Sequence, residues 1–289
     1  MDVEALWGTT FSTLSGVTDS EPSRETYTPG SSTARDEHDR CVIHIHIPRA
    51  AGHTLNSIIG RRYRASDVFT YTGPVGRQVV IPRSGAQTLR LIRGHISYGI
   101  DAQLDIPSTY VTFLRDPVSR VISLHRYIVE NPRHHLHGQV TDMSLEDFVT
   151  SGIDEAEVGN GQTRQLFGVT DRIPDEEMLE GSKRHLREDC AAVGVTERFD
   201  ESLLLLRKTL GWPLQFYRVK NATTSVRGSP SPEVRQLIES RNALDRRLYA
   251  FAMGLLDERS SDQGPSFRAE LAAFKGLNAA AQVYRRLRR

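Results

Sequence analysis

The chain has 289 residues, of which 38% are hydrophobic and 25% are charged. This composition is typical of a soluble globular protein and excludes collagen-like, coiled-coil and wholly disordered chains. Thirty-seven basic residues against 36 acidic ones give a formal net charge of +1, so we expect no dedicated nucleic-acid-binding function. No apolar run approaches the roughly 18–20 residues that cross a bilayer, so we expect no membrane span.

The two ends of the chain differ in composition. Residues 1–38 are rich in Ser, Thr, Pro and charge, and they offer little apolar surface to offset the entropy of ordering. The sequence therefore predicts a flexible tail over 1–38, with a short docking segment at Ala5–Trp7, and one domain over 39–289. The start of the chain lacks the pattern of a secretion signal. Two distant cysteines, Cys41 and Cys190, fit a reducing compartment, so we expect a cytoplasmic protein.

Strand-like and helix-like segments alternate along the domain. The predicted strands are Cys41–Ile47, Val79–Ile81, Leu89–Ile92, Tyr110–Leu114, Ala191–Val195 and Leu214–Val219. The first predicted helix opens at His53–Leu55, with Thr54 as its cap. The second is Val118–Glu130, with Asp116 as its cap and Pro117 in its first turn. The others are Glu201–Leu210, Pro232–Glu258 and Ser266–Arg289. This order predicts an α/β domain in which a parallel sheet is flanked by helices, with a helical C-terminus.

The first candidate site is the loop Pro48–Gly52 after the first strand. In an open α/β sheet, ligands bind outside the carboxyl ends of the strands, and a helix N-terminus there favours an anion. Gly52 allows close backbone approach, Thr54 adds a hydroxyl, and Arg49 adds a fork that suits phosphate or sulfate oxygens. The alternative is a strand–turn–helix unit that serves packing alone. The full GxxxxGK[ST] pattern is absent, which disfavours an ordinary NTPase.

The second candidate site follows the strand Tyr110–Leu114. Arg115 ends that strand, and Ser123 lies on the next helix, with Arg120 three residues before it. An arginine and a hydroxyl suit a second phosphate, although a structural arginine beside a solvated helix is the alternative. Two anion sites at one sheet edge suit a nucleotide that carries phosphate at both its 5′ and 3′ ends.

At these residues the sequence resembles sulfotransferases that use 3′-phosphoadenosine 5′-phosphosulfate (PAPS). The segment IHIPRAAGHTL resembles their 5′-phosphosulfate loop, and FLRDPVSRVISLHRY resembles their 3′-phosphate motif. Two further segments, Gly94–Tyr98 and Asn160–Leu166, resemble the branch of heparan sulfate 2-O- and 6-O-sulfotransferases and its bacterial relatives. Val193–Phe199 is also similar to the family.

The resemblance implies a three-layer, P-loop-like fold and transfer of a sulfuryl group from PAPS to an acceptor hydroxyl, and it favours a glycan acceptor. The chemistry of this transfer requires no metal. His95 falls on the catalytic base, and Arg49 falls where the family commonly has a lysine, which can lend a proton to the leaving group. Arginine clamps oxygens but does not readily give up a proton. The implied nucleotide-binding residues are Arg49, Ala50, Gly52, His53, Thr54 and Leu55 at the 5′ loop, Arg115 and Ser123 at the 3′-phosphate, and Thr163 and Arg164 in the cleft.

Two other functions stay open. One is a P-loop-like nucleotide kinase, which the missing GK[ST] and the lack of a clear magnesium-binding Asp at a strand end disfavour. The other is a non-catalytic nucleotide-binding or scaffold protein on the same fold. We interpret His44 and His46 as sheet-face residues, and His134, His135 and His137 as an exposed loop, rather than as metal ligands. The acceptor and the oligomeric state are left open.

Overall fold

A twisted sheet of parallel strands organises the molecule. The computed structural model describes residues 40–214, 216–217 and 230–287, so the predicted tail over 1–38 and its docking segment Ala5–Trp7 lie outside the described residues. Within these ranges the sheet has the order β2-β3-β1-β4-β5, and every neighbouring pair is parallel. The strands are β1 (Cys41–Ile45), β2 (Val68–Tyr71), β3 (Leu91–Gly94), β4 (Ser108–Leu114) and β5 (Cys190–Val195).

Helices fill the connections and the C-terminal part. They are α1 (Gly52–Ile59), α2 (Pro117–Glu130), α3 (His137–Val140), α4 (Leu145–Thr150), α5 (Glu155–Val158), α6 (Gly161–Phe167), α7 (Glu176–Glu188), α8 (Phe199–Thr209), α9 (Pro232–Arg241), α10 (Ala243–Ser261) and α11 (Ser266–Leu287). None of the helices in the described ranges combines the length and the apolar character that crossing a lipid bilayer requires.

The two faces of the sheet bury separate apolar layers. Ile43 and Ile45 of β1 point into a core shared with α7 and α10, whereas Val42 points into a second core shared with α1, α8 and α11. This alternation follows from the strand period of two, which sends successive side chains to opposite faces. The predicted arrangement of a parallel sheet between two helical layers is therefore confirmed.

The edge of the sheet differs from the prediction. Val79–Ile81 forms no strand, and the edge position belongs to β2, which the sequence analysis missed. The Ile81 N–H donates to Oε1 of Gln103 at 2.9 Å, and the Val79 carbonyl accepts from Nε2 of Gln103 at 2.9 Å. A side-chain amide thus takes the place of a neighbouring strand. The predicted strand over Leu214–Val219 lies partly outside the described residues, and its described residues form no strand.

Helix boundaries also correct two predictions. The predicted helix Pro232–Glu258 is broken at Asn242, whose buried side chain donates to the carbonyls of Val158 at 2.8 Å and Ile238 at 3.0 Å. Thr54 does not cap α1. The residue before that helix is Ala51, in the left-handed conformation and without a side-chain cap. The predicted start of α2 is confirmed, with the carboxylate of Asp116 accepting from the Ser119 N–H at 2.8 Å.

The chain reverses its direction of travel across the sheet between β1 and β4. The connection from β1 leads toward β2 at one edge, and the connection from β4 leads to β5 at the other edge. Such a reversal opens a crevice at the carboxyl ends of the two strands. The segments that leave this crevice carry Arg49 and Arg115.

Candidate functional site

A cavity of about 440 Å³ opens at this crevice and joins the two predicted anion sites. The predicted site residues on its wall are Arg49, Gly52, His53, Thr54, His95, Arg115 and Ser123. Other wall residues were not assigned to a ligand from the sequence, among them His46, Asn56, Tyr127, His134 and Glu157. Two motifs that are distant in the chain therefore face one space.

The loop after β1 has a strained backbone. Arg49 and Ala51 have φ values of 67° and 59°, which non-glycine residues rarely adopt. Such strain costs on the order of 1–3 kcal/mol per residue and clusters at binding and active sites. The N–H groups of Thr54 and Leu55 donate to the Ala51 carbonyl, so this turn leads directly into the first turn of α1. A strained turn that ends at a helix N-terminus is the geometry that the predicted anion cradle needs.

Gly52 is needed for a reason that the sequence did not reveal. A Cβ on Gly52 would lie 1.7 Å from Nε2 of His46, far inside any permitted contact. The imidazole of His46 therefore packs directly on the first turn of α1. His53, the next residue, is exposed on the cavity wall, and its ring centroid lies 6.0 Å from that of His46.

The side chain of Arg49 crosses from the first anion site to the second. Its Nε donates to Oγ of Ser123 at 3.0 Å, and its guanidinium lies 4.6 Å from the ring centre of Tyr127. Nη1 of Arg115 donates to the main-chain oxygen of Arg49 at 2.9 Å. Burial lowers the pKa of both arginines, but a guanidinium stays charged in a protein. The second site therefore holds two cations and a hydroxyl.

Polar atoms at this site lack partners in the described part of the chain. Nε of Arg115 is buried without a hydrogen bond, and the nearest carboxylate oxygen, of Glu197, is 3.9 Å away. A buried charged donor without a partner is costly, and an anion would satisfy it. Arg120 lies in the core and not on the cavity wall. It bonds the Glu157 carbonyl and lies 4.0 Å from Asp245, and its Nε likewise has no hydrogen-bond partner among the described residues.

Glu157 brings a carboxyl group to the same wall. Its Oε2 is buried and has no hydrogen-bond partner among the described residues. Burial, followed by the charge of Asp154, raises the pKa of Glu157 to about 8. The group is therefore largely protonated at pH 7, so it does not place a full negative charge against an anionic ligand.

His95 has the tautomer of a base. Its Nδ1 lies 3.0 Å from the carbonyl oxygen of Gly73. A carbonyl only accepts, so Nδ1 carries the proton and Nε2 keeps its lone pair. Burial lowers the pKa of His95 below its ordinary value of 6.5, so the ring is neutral at pH 7. These are the properties of a general base.

Four predicted ligand-binding residues are not on the cavity wall. Ala50 and Leu55 are buried, and their N–H groups donate to the carbonyls of Ile47 at 3.2 Å and Ala51 at 3.1 Å. Their side chains serve the core.

Thr163 and Arg164 are also satisfied inside the protein. The Thr163 hydroxyl donates to Asp245 at 2.7 Å, and Arg164 donates to the carbonyls of Gly159 at 2.9 Å and Thr170 at 3.0 Å. The structure gives these two residues a structural role in place of the predicted cleft contact.

The histidine loop before α3 is only partly exposed. His134 lies on the cavity wall, His135 is exposed, and Nδ1 of His137 donates to the Ile128 carbonyl at 2.9 Å. His46 likewise lies on the wall, so its interpretation as a plain sheet-face residue was incomplete. Its position two residues before the loop was the available signal. Over the described ranges, no three His, Cys, Asp or Glu side chains are grouped to hold a metal ion.

The chain is similar in sequence to named sulfotransferases. Galactose-3-O-sulfotransferase 3 of Bos taurus is 32% identical over 158 residues, which are 49% of this chain and 36% of that protein. The protein of the same name from Homo sapiens is 34% identical over 160 residues, which are 50% of this chain and 36% of that protein. The match confirms the predicted resemblance to sulfotransferases. The chain thus spans only about a third of the length of these relatives.

No family model matches the chain. A crystal structure of mouse sulfotransferase SULT7A1 complexed with PAP has 16% sequence identity and a TM-score of 0.37, over 62% of this chain and 60% of that one. The heparan sulfate branch stays a prediction, because the relatives named above are galactose-3-O-sulfotransferases.

Proposed function

We propose that this protein moves a sulfuryl group from PAPS to a hydroxyl group of a carbohydrate. One observation carries the proposal: the loop after β1 and the pair Arg115 and Ser123 share a cavity, and Arg49 joins them. Two anion sites in one cavity suit a nucleotide with phosphate at both ends. The similarity to galactose-3-O-sulfotransferase 3 supports sulfuryl transfer and a galactose-like acceptor.

The nucleotide is held by charge and by backbone dipoles. In the proposal, the loop Pro48–Gly52 and the N-terminus of α1 bind the 5′-phosphosulfate, because backbone N–H groups there favour an anion. Arg115 and Ser123 bind the 3′-phosphate. Arg49 assists this second end, since its Nε already reaches Oγ of Ser123. This assignment differs from the leaving-group role that the family position implies for residue 49.

The reaction is an in-line displacement at sulfur. The acceptor hydroxyl attacks the sulfur while its proton moves to Nε2 of His95. The bond between sulfur and the bridging phosphate oxygen breaks, and the bisphosphate leaves with the negative charge. A positioned base contributes roughly 10²–10⁴-fold, and N–H donors at the α1 terminus stabilise the charge that develops on the leaving oxygen.

The acceptor enters on the β2 side of His95. Thr70, Tyr71 and Thr72 line the cavity there. The main-chain N–H of His95 donates to the Tyr71 carbonyl at 3.2 Å. Hydroxyl groups and an aromatic ring suit a neutral sugar, which presents hydroxyls at its rim and C–H groups on its face. We expect a neutral galactoside to be a better acceptor than a polyanionic glycan.

The test has two stages. Adenosine 3′,5′-bisphosphate should raise the melting temperature of the protein through mass action, and ATP with magnesium should not. Labelled PAPS should then transfer sulfate to a panel of galactosides and other glycans. His95→Ala should abolish transfer while bisphosphate protection persists. Protection by ATP alone would favour the kinase, and bisphosphate binding without transfer to any acceptor would favour a non-catalytic protein.

A further inference from the structure

The imidazoles of His44, in β1, and of His46, directly after β1, both contact the side-chain amide of Asn56 in α1. Oδ1 of Asn56 lies 2.9 Å from Nδ1 of His44, and Nδ2 of Asn56 lies 3.3 Å from Nδ1 of His46. The side chains of His44 and His46 are both buried, and His46 with Asn56 lines the cavity. A polar chain therefore runs from inside the sheet to the wall of the site.

This chain fixes where the protons are. An amide oxygen only accepts and an amide nitrogen only donates. Nδ1 of His44 therefore carries a proton and donates to Oδ1 of Asn56, whereas Nδ1 of His46 carries none and accepts a hydrogen bond from Nδ2 of Asn56. Burial lowers the pKa of His46 well below its ordinary value, so the ring is neutral and has a single proton. That proton is on Nε2, the nitrogen next to Gly52.

His46 and His95 therefore present opposite functions to the same cavity. Their ring centroids are 4.9 Å apart. His95 has its lone pair on Nε2, because the Gly73 carbonyl holds Nδ1–H, whereas His46 has its proton on Nε2. His46 also contacts the start of α1, where the 5′-phosphosulfate is proposed to bind. The transferred group must pass from that loop toward the base, and the ring of His46 adjoins both.

We infer that His46 is a second catalytic imidazole, whose Nε2–H donates a hydrogen bond to an oxygen of the sulfuryl group in transit, with Asn56 and His44 as positioning residues that set its tautomer. The inference rests on the proposed function. His46 keeps its proton throughout, because no bond to nitrogen forms or breaks there. The proton released by the acceptor goes to His95, so the two imidazoles do not compete.

The decisive measurement compares two nucleotides that differ by the sulfuryl group. His46→Leu should weaken binding of PAPS about tenfold more than binding of adenosine 3′,5′-bisphosphate, because a hydrogen bond to a charged group is lost only with PAPS. His46→Gln places an amide N–H near the position of Nε2 and should restore most of the PAPS preference. The rate of transfer should fall at least tenfold in His46→Leu and recover in part in His46→Gln.

A spectroscopic measurement tests the tautomer without nucleotide. Long-range ¹H–¹⁵N spectra of the full chain should show His46 protonated on Nε2 and His95 protonated on Nδ1. Asn56→Ala should convert His46 to a mixture of tautomers and lower the rate, while bisphosphate affinity stays within about twofold. His125→Leu is the matched control, since it removes a half-buried imidazole of α2 that bonds the Met143 carbonyl away from the cavity.

The outcomes separate the inference from the proposed function. If wild-type protein binds both nucleotides but His46→Leu weakens both equally or neither, the inference is wrong and the function stands. Protonation of His46 on Nδ1 overturns the inference in the same way, whether or not the variants fold. If wild-type protein binds neither nucleotide, the proposed function is wrong, and the inference is overturned with it.

Discussion

Nη1 of Arg115 donates a 2.9 Å hydrogen bond to the main-chain oxygen of Arg49. Arg49 has a left-handed backbone, so the bond supports a conformation that the residue disfavours alone. The side chain of Arg49 in turn bonds Ser123 on α2. Arg49 thus links the two predicted anion sites before a ligand binds, and preorganisation of this kind lowers the entropy lost on binding.

Removing Arg115 should weaken nucleotide binding in two ways, because its side chain is proposed to bind the 3′-phosphate and also bonds the main chain of Arg49. We expect Arg115→Ala to raise the Kd for adenosine 3′,5′-bisphosphate about 10- to 100-fold, since a charged hydrogen bond is worth about 1.5–3 kcal/mol. Isothermal titration calorimetry measures the change. Arg133→Ala, which removes an exposed arginine outside the cavity, should leave the Kd unchanged. An unchanged Kd in Arg115→Ala would exclude Arg115 from the phosphate site.

Arg49 and Ser123 should act as one unit. Their side chains share a 3.0 Å hydrogen bond, so each single change to Ala removes part of the same contact. In a double-mutant cycle on bisphosphate affinity, we expect a coupling of about 0.5–3 kcal/mol. Additive losses would mean that the two side chains bind the nucleotide independently.

Gly52→Ala should destabilise the protein, because the new methyl group collides with the His46 ring. Overpacking of this kind costs about 1–3 kcal/mol. Chemical denaturation measures the loss, and the double change Gly52→Ala with His46→Ala should recover stability. The matched control is Gly254→Ala in α10, where a Cβ meets nothing within 4 Å, and we expect a gain of up to about 1 kcal/mol there.

Glu157 should make stability fall as pH rises. Its pKa is about 4.5 unfolded and about 8 folded, so the native state binds more protons between these values and loses stability through that window. Glu157→Gln should flatten the slope by up to about 1.4 kcal/mol per pH unit. Denaturation from pH 5 to 8 measures it. Glu146→Gln, which removes an exposed carboxylate, should follow wild type. A wild-type slope in Glu157→Gln would contradict the assignment.

The pH dependence of transfer should report the base. The proposed mechanism requires a neutral His95. Burial lowers the pKa of His95 below 6.5, so kcat should lie on its plateau at pH 7 and fall only in more acidic solution. Measurement of kcat as a function of pH, in ordinary and in deuterated buffer, checks this. An acidic limb centred above pH 7 would mean that another group limits the reaction.

Local patterns predicted most of the fold. The β-branched run at Cys41–Ile45 and the Asp116–Pro117 start of α2 carry strong one-dimensional signals, and both are confirmed. The edge strand Val68–Tyr71 was missed because it is half-exposed and lacks an apolar run. The break at Asn242 was missed because its partners, such as Val158, are distant in the chain.

The sequence predicted those site residues that belong to a motif and have a side chain suited to an anion or to proton transfer. Arg49, His95, Arg115 and Ser123 share the cavity as expected. Sequence order could not show that Arg49 turns toward Ser123, because that depends on how far apart β1 and β4 place the two segments. Nor could it show Glu157, whose short helix has no motif and reaches the cavity through tertiary packing alone.

The positions of His44, in β1, and of His46, directly after it, depend on the register of that strand in the sheet. Side chains at 43 and 45 fill one apolar layer, while 44 and 46 turn toward Asn56 on the other side. A slip by one residue would place both imidazoles in the apolar core and turn two isoleucines toward the cavity. The pairing of this central strand with β3 and β4 therefore sets the apolar layer and the place of His46 on the cavity wall together.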